Sequence, residues 1–476
     1  MNYYELREIV KNIIPRRTKL EELEKAHGLV KEKGRKINYR EFNFEQGKYT
    51  QNLRLLNTEE IHSFLEVSLR AAHCPMPLNA DVWDGLRCPL KCLYCYADSF
   101  RASLYTSFFD NGRTMGLRHC KPDYFKSELD KLMKFRGKRN NGNEVQRAIG
   151  MKIPIRLGIR FEDFLPIEGR HKISLQFLQY LKEIAYPVMI NTKSALIGRE
   201  DYVRALAENK GGSAVHITML SSNDILNKKL EPGAPTFKER IQAAKNLTSA
   251  GVRVVARIEP FMVFLNDETS EVDKWIYEVQ SANISNITLD TYSWSAQAPG
   301  IRRQMEMEGF DFDRMFLLMS DSQWLGSLLL SKFIEMLKAR FLLGYDKKVT
   351  LSTFDFGNVP TNDQDICCEV GDNYPEAGFS YGNNLMAIRF IKMDPLKPTT
   401  WKDYNTFVEV KGGWLSDSIK REVYLSWNLA GGNPSYYPDW AQGVEPCGLD
   451  NDGNRIWIYT PNKDFRWEML KSLIGN

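Results

Sequence analysis

No uninterrupted apolar run in this chain approaches membrane-spanning length. The opening residues, MNYYELREIV, carry Glu5, Arg7 and Glu8 where a secretory leader would be apolar. Both absences point to a cytoplasmic protein. Cysteine is scarce, at eight in 476 residues, with three in one loop and two adjacent. That distribution excludes a disulfide framework and fits a reducing compartment. Charge of one sign is also in short supply, because the formal net charge is only +4, too little to argue for nucleic acid by itself. Residues 1–50 hold twelve Lys and Arg against eight Glu, and Lys131 to Arg147 hold six cations against Glu144. Solvated faces explain such runs more often than phosphate contacts do. Repeats and low-complexity segments are lacking too.

What is present is an organised α/β chain. Hydrophobic content of 43% in 476 residues supports two or three domains. Apolar positions at helical spacing over Tyr4 to Ile14 and Lys19 to Lys33 mark an N-terminal helical cap, residues 1–75. From there to residue 365, short apolar strands alternate with helices, the signature of a parallel sheet. Strands are predicted at Asn79 to Trp83, Ile153 to Ile159, Pro187 to Asn191, Ser213 to Thr218, Val252 to Ile258 and Asn286 to Leu289, with Val349 to Thr353 as a seventh. Thr236 and Glu239 form a capping box ahead of a stripe of Phe237, Ile241, Ala244 and Leu247 that Gly251 ends, and His171 to Ile184 is another crossover helix. The unit count favours a partial (β/α)6 TIM-like barrel over a flat doubly wound sheet. Residues 366–476, rich in Gly, Pro, Asn and aromatics, read as an α+β or irregular C-terminal extension with strands at Phe407 to Val410, Glu422 to Leu429 and Arg455 to Tyr459. Its aromatics fit a small core better than a base-stacking surface. The DNDG run at Asp450 lacks the closing Glu of a calcium loop.

The chemistry concentrates in RCPLKCLYCYA, residues 87–97, where Cys88, Cys92 and Cys95 make C-x3-C-x2-C. Three thiolates in one short loop suit a metal centre. A structural zinc needs four protein ligands, which here means borrowing His73, Cys74 or Cys120, whereas an iron–sulfur cluster held by three cysteines keeps one iron open. Polar residues follow nearly every predicted strand: Glu162 and Asp163, then Thr192, Lys193 and Ser194, then Thr218, Arg257 with Glu259, and Asp290. Strand ends of such sheets are where reactive groups gather, although solvated loops are polar in any protein.

The cysteine loop, with Tyr94 before its last cysteine, resembles that of radical S-adenosylmethionine (SAM) enzymes. GIRFEDFLPIE (158–168), NTKSALIGRE (191–200) and LEPGAPTFKER (230–240), running on to SAGVRVVARIEPFM, are similar to strand-end motifs of the spore photoproduct lyase-like branch of that superfamily, over roughly residues 79–270. The resemblance implies a [4Fe-4S] cluster on Cys88, Cys92 and Cys95 and SAM on its open iron. It implies reductive cleavage of SAM to a 5′-deoxyadenosyl radical that abstracts a hydrogen atom, with an external one-electron donor such as flavodoxin or ferredoxin. Lys193 is the candidate cation for the SAM carboxylate, and Tyr94 and Tyr96 are candidates for the wall against the adenine. Glu162, Ser194, Glu231 and Arg257 are further cofactor candidates. The first expectation for the substrate is a nucleic-acid base or nucleotide, with a peptide or small metabolite as alternative. A non-redox binding protein with a structural zinc is the competing class.

Two departures bear on the reaction. No cysteine lies between Cys120 and Cys367, so the hydrogen-donating cysteine early in the barrel that the resemblance implies has no counterpart. Cys367 and Cys368 are the candidate catalytic hydrogen donors, or, with Cys447, ligands to a second cluster. His216 stands where the family more often has a small hydroxyl residue, and reads best as a satisfied core histidine.

Overall fold

A computed structural model of the chain describes residues 1–13, 50–52, 65–68, 76, 78–84, 88–95, 97, 117–134, 144–291, 305–311, 318, 323–341, 348–351, 385–411, 415, 417–428, 444–460 and 466–474. The strands, in chain order, are β1 (Thr50–Asn52), β2 (Leu65–Ser68), β3 (Leu78–Ala80), β4 (Trp83–Asp84), β5 (Arg118–His119), β6 (Ile155–Leu157), β7 (Val188–Thr192), β8 (Ser213–Thr218), β9 (Arg253–Phe261), β10 (Asn286–Thr291), β11 (Lys348–Leu351), β12 (Val444–Leu449) and β13 (Arg455–Tyr459). Seven of them, β3-β6-β7-β8-β9-β10-β11, lie side by side in sequence order, all parallel. The architecture is the expected α/β one, and the sheet is open: no pairing joins β11 to β3 among the described residues.

Helices Ile173–Glu183, Phe237–Ser249 and Thr269–Ser281 alternate with the strands, and their apolar stripes close on one face of the sheet. Ile155 and Leu157, Val188 and Ile190, Val215 and Ile217, Val254 and Ala256, and Ile287 and Leu289 share that core. The capping box is formed as expected: the Thr236 side chain accepts from the Glu239 amide, and the Glu239 carboxylate accepts from the Thr236 amide.

The opposite, inner face carries Met189, Ala214 and Val255 but is polar toward the strand ends. Register places Asn79 beside Arg156, Asn191 beside His216, and Thr218, Arg257, Thr288 and Thr350 in one row. A parallel sheet packed on apolar layers from both sides has nearly continuous hydrophobic strands, so this alternation marks a face built for something other than a hydrocarbon core. His216, 1% exposed, sits on it.

Several expectations are corrected. The first predicted strand ends at Ala80, because the Asp163 carboxylate takes the amides of Val82 and Trp83 and turns the chain into β4, which pairs with β5. The 1–75 region is not helical throughout. It supplies helix Tyr3–Ile13, but β1 and β2 extend the sheet antiparallel from β3, with Leu65 and Val67 alternating with Glu66 and Ser68 at strand period. Lys19 to Lys33 lies outside the described residues. In the C-terminal region, Phe407 to Val410 lies in helix Trp401–Lys411 and Glu422 to Trp427 in helix Asp417–Trp427, since Tyr404 with Val408 and Val423 with Trp427 are buried pairs four residues apart; Leu429, the end of the second predicted strand, lies outside the described residues. Arg455 to Tyr459 is a strand as predicted, in a hairpin whose turn Asp450 closes by accepting the amides of Asp452 and Asn454. Tyr404 stacks on Trp427, so these aromatics form a core.

Candidate active site at the strand ends

The cysteine loop leaves the edge of the sheet at which the parallel strands end. Two successive turns shape it: the Lys91 amide donates to Cys88 O (3.2 Å) and the Cys95 amide to Cys92 O (3.2 Å). Lys91 takes a left-handed conformation (φ 51°) between them. A turn brings its end residues within about 7 Å, which gathers the cysteines on one short arc. Cys88, Cys92 and Cys95 are half-buried.

The loop is clamped to the segment after helix Asp224–Leu230. Leu93 N donates to Leu230 O (2.8 Å) and Gly233 N to Leu90 O (2.9 Å). Gly233 is required here, because a Cβ at that position would stand 2.4 Å from Pro89 O and 2.8 Å from Leu90 Cα. Tyr94, buried, donates its hydroxyl to Glu231, whose other oxygen pairs with Arg240. Arg240 in turn donates to Thr218 O (2.7 Å) at the end of β8 and to Pro235 O (3.0 Å).

Opposite the loop stands the end of β7. Lys193 places its ammonium 5.5 Å from the centre of the Tyr94 ring, within cation–π range. Burial works against that charge, but Cys92, Glu231 and Cys95 outweigh it and hold the lysine above its ordinary pKa. Burial pushes the Cys92 thiol well up; Lys193 partly offsets this, and Glu231, Cys95 and Cys88 add to it. A bound metal cluster would supply the positive charge that a buried Cys92 thiolate needs. The donor set therefore fits the implied [4Fe-4S] cluster. Among the described residues no three His, Cys, Asp or Glu side chains are set to hold a single metal ion.

Behind Lys193, Glu162 fixes the strand end. Its Oε1 accepts from Thr192 Oγ1 (2.7 Å) and the Phe164 amide (3.0 Å), and its Oε2 from the Lys193 amide (2.9 Å). Burial raises the Glu162 pKa, against the opposing pull of these donors and of Lys193. Ser194 caps the short helix Ala195–Gly198 by accepting from the Leu196 amide. Gly158, with φ 74°, lies where a Cβ would be 2.0 Å from Asn191 O, so β6 and β7 approach as only glycine permits.

Of the predicted site residues, the structure brings together Cys88, Cys92, Cys95, Tyr94, Lys193 and Glu231, with Arg257 near enough to Lys193 to depress it electrostatically. Arg257 pairs with Glu259. Glu162, Ser194 and Glu231 spend their oxygens on protein partners. Tyr96, Cys367 and Cys368 lie outside the described residues. Cys447 is exposed on β12, its thiol donating across the hairpin to Ile456 O (3.6 Å). Cys120 is buried in the core beside Val82, whose carbonyl accepts its amide. Arg240 was missed, although a cation on the buried stripe of a helix, three residues after Phe237 and four before Ala244, is a signal of a buried partner.

No family model matches the chain. Uncharacterized proteins of Mycobacterium tuberculosis and Mycobacterium bovis are 21% identical over 147 residues, covering 31% of this chain and 43% of theirs. The match thus spans less than half of those relatives. Among solved structures, a spore photoproduct lyase mutant with bound AdoMet and dinucleoside spore photoproduct aligns at TM-score 0.40 and 13% identity, over 59% of this chain and 77% of that one. Streptococcus suis SuiB bound to S-adenosylmethionine aligns at TM-score 0.33 and 15% identity, over 58% and 59%.

Proposed function

We propose that the chain is a radical SAM enzyme. The observation that carries this reading is the placing of Cys88, Cys92 and Cys95 on one doubly turned loop at the carboxyl edge of a parallel sheet, with the Lys193 ammonium, at the end of β7, over the ring of Tyr94 in that loop. Ligands of open α/β sheets bind at that edge. The three thiols would hold a [4Fe-4S] cluster that leaves one iron for SAM. With both in place, the chemistry supplied is one-electron cleavage of SAM to methionine and a 5′-deoxyadenosyl radical, which takes a hydrogen atom from the substrate and becomes 5′-deoxyadenosine.

The geometry supports the following contributions from the chain's own residues. Lys193 offers a fixed cation to the SAM carboxylate, held in its strand end by Glu162. Tyr94 offers a ring face at the same place. The polar part of the inner face, with Asn191, His216, Arg257 and Thr288, is the surface on which a hydrogen-bonding substrate would lie. A nucleic-acid base or nucleotide is the first substrate class to test and a peptide or small metabolite the second, with flavodoxin or ferredoxin as electron donor. Cys367 and Cys368 remain the candidate hydrogen donors, and the protein is proposed to be cytoplasmic. Among the described residues no helix is long and apolar enough to cross a membrane.

Anaerobically purified protein should contain iron and acid-labile sulfide near four of each per chain, following the cluster stoichiometry. With SAM and dithionite it should release 5′-deoxyadenosine, and Cys92→Ala should abolish that release. One zinc and no sulfide would replace this reading with a structural-zinc binding protein.

A further inference from the structure

We propose that Tyr94, Glu231 and Arg240 form a buried latch whose task is to set the position of the cysteine loop against the end of β8. This inference rests on the reading of that loop as the cluster site. The path is continuous: Thr218 O accepts from Arg240 Nη1 (2.7 Å), Arg240 pairs with Glu231, and Glu231 accepts from the hydroxyl of Tyr94, which stands between Cys92 and Cys95. Tyr94 is 8% exposed, and Glu231 and Arg240 are 1% exposed each.

A buried ion pair is a poor device for stability alone, because desolvating both charges offsets most of their attraction and an apolar pair of the same volume often does as well. What a charged, hydrogen-bonded chain adds is direction. Here it fixes where one loop lies along the strand ends. The backbone says the same, since the loop is pinned just ahead of Tyr94, through Leu93 to Leu230 and Leu90 to Gly233, on either side of Glu231. The Lys193 ammonium over the Tyr94 ring makes the tyrosine the hinge between the thiols and the cation on β7. Glu231 thus acts through Tyr94, and Arg240 through Glu231, as positioning residues.

The test uses the full-length protein in two arms. In protein stripped of iron with a chelator under reducing conditions, alkylation of Cys88, Cys92 and Cys95 by iodoacetamide is followed by peptide mass spectrometry, with exposed Cys447 as internal standard. Tyr94→Phe keeps the ring and its packing but cuts the link to Glu231. It should speed alkylation of the three loop thiols several-fold relative to Cys447, with a thermal midpoint lowered only modestly, as the loss of one buried hydrogen bond requires. Glu231→Gln should speed alkylation likewise, with a lowered thermal midpoint because Arg240 is left as a buried charge without its anionic partner, and the double variant should add little to the alkylation effect of either single change, because each breaks the same chain. In the second arm, reconstituted Tyr94→Phe protein should load iron to the wild-type level, show an altered electron paramagnetic resonance spectrum of the reduced cluster with SAM, and release 5′-deoxyadenosine about tenfold more slowly. Where Glu231→Gln fails to fold, Tyr94→Phe still decides. Wild-type alkylation rates and a wild-type spectrum in Tyr94→Phe would overturn the latch while leaving the cluster reading intact. A wild-type protein that binds no iron but shows the Tyr94→Phe alkylation effect would overturn the cluster reading and keep the latch as a device of the loop.

Discussion

Asp81 and Asp163 are buried close together where β3 gives way to the cysteine loop, and both carboxylates are pushed above their ordinary pKa. Burial is the first cause for each. For Asp163 the Asp81 charge is the next, and for Asp81 the Arg160 guanidinium works the other way. Asp163 is kept because it accepts the amides of Val82 (2.8 Å), Trp83 (2.9 Å) and Gly158 (2.9 Å), three donors that would otherwise be orphaned. An acid with a raised folded pKa contributes stability that is fully present below its unfolded value, about 4, and is lost as pH rises through the folded value. Stability from this pair therefore declines as pH climbs above about 4. Asp81→Asn removes one titration and the charge that perturbs the other, so the decline should flatten. Urea unfolding at a series of pH values checks the slope, and an unchanged slope would refute the coupling between the two carboxylates.

Helix Tyr3–Ile13 shows how far one element depends on a distant one. Arg7, 8% exposed, meets both oxygens of the fully buried Asp267 (3.0 and 3.2 Å) and also pairs with Glu268, while Tyr3 donates to Asp267. Asp267 additionally accepts the Phe264 amide (3.0 Å), so the helix is bolted to the loop that follows β9. Arg7→Ala leaves a buried carboxylate without its cation and should cost about 3–5 kcal/mol in a denaturant titration. A loss under about 1 kcal/mol would mean that water reaches Asp267 as it does a surface pair. None of this was legible in the sequence, because Arg7 and Asp267 are 260 residues apart and nothing local marks them as partners. The strands were legible because each carries apolar residues in alternation on the helix-covered face. The capping box was legible because its parts are three residues apart. The C-terminal helices were misread because Phe407, Val408 and Val410 favour strands by type, and only the four-residue spacing to Tyr404 reveals the helix. At the site, the cysteine spacing and the cation on β7 were readable. The Tyr94–Glu231 contact, across 137 residues, was not, nor was the engagement of the Glu231 and Glu162 oxygens by protein donors.

Across the whole molecule, the seven parallel strands place an apolar face under the helices and, opposite, a face polar toward the strand ends, with the cysteine loop and Lys193 at their common carboxyl edge. A ligand that binds only this assembled arrangement must stabilise the folded chain by mass action. SAM at a hundredfold excess over its dissociation constant should add about 2.7 kcal/mol to cluster-loaded protein and raise its thermal midpoint. If Lys193 holds the SAM carboxylate as proposed, Lys193→Ala removes a charge-assisted bond worth about 1.5–3 kcal/mol, which is roughly a 10- to 100-fold loss of affinity. At the same SAM concentration its stabilisation should fall to between about 0.4 and 1.4 kcal/mol. Cys92→Ala, which removes a thiol of the proposed cluster, should show almost none. Differential scanning calorimetry under anaerobic conditions makes the comparison. An equal rise in midpoint for wild type and Lys193→Ala would mean that the ammonium over the Tyr94 ring serves the cysteine loop alone, and that the SAM carboxylate finds its cation elsewhere.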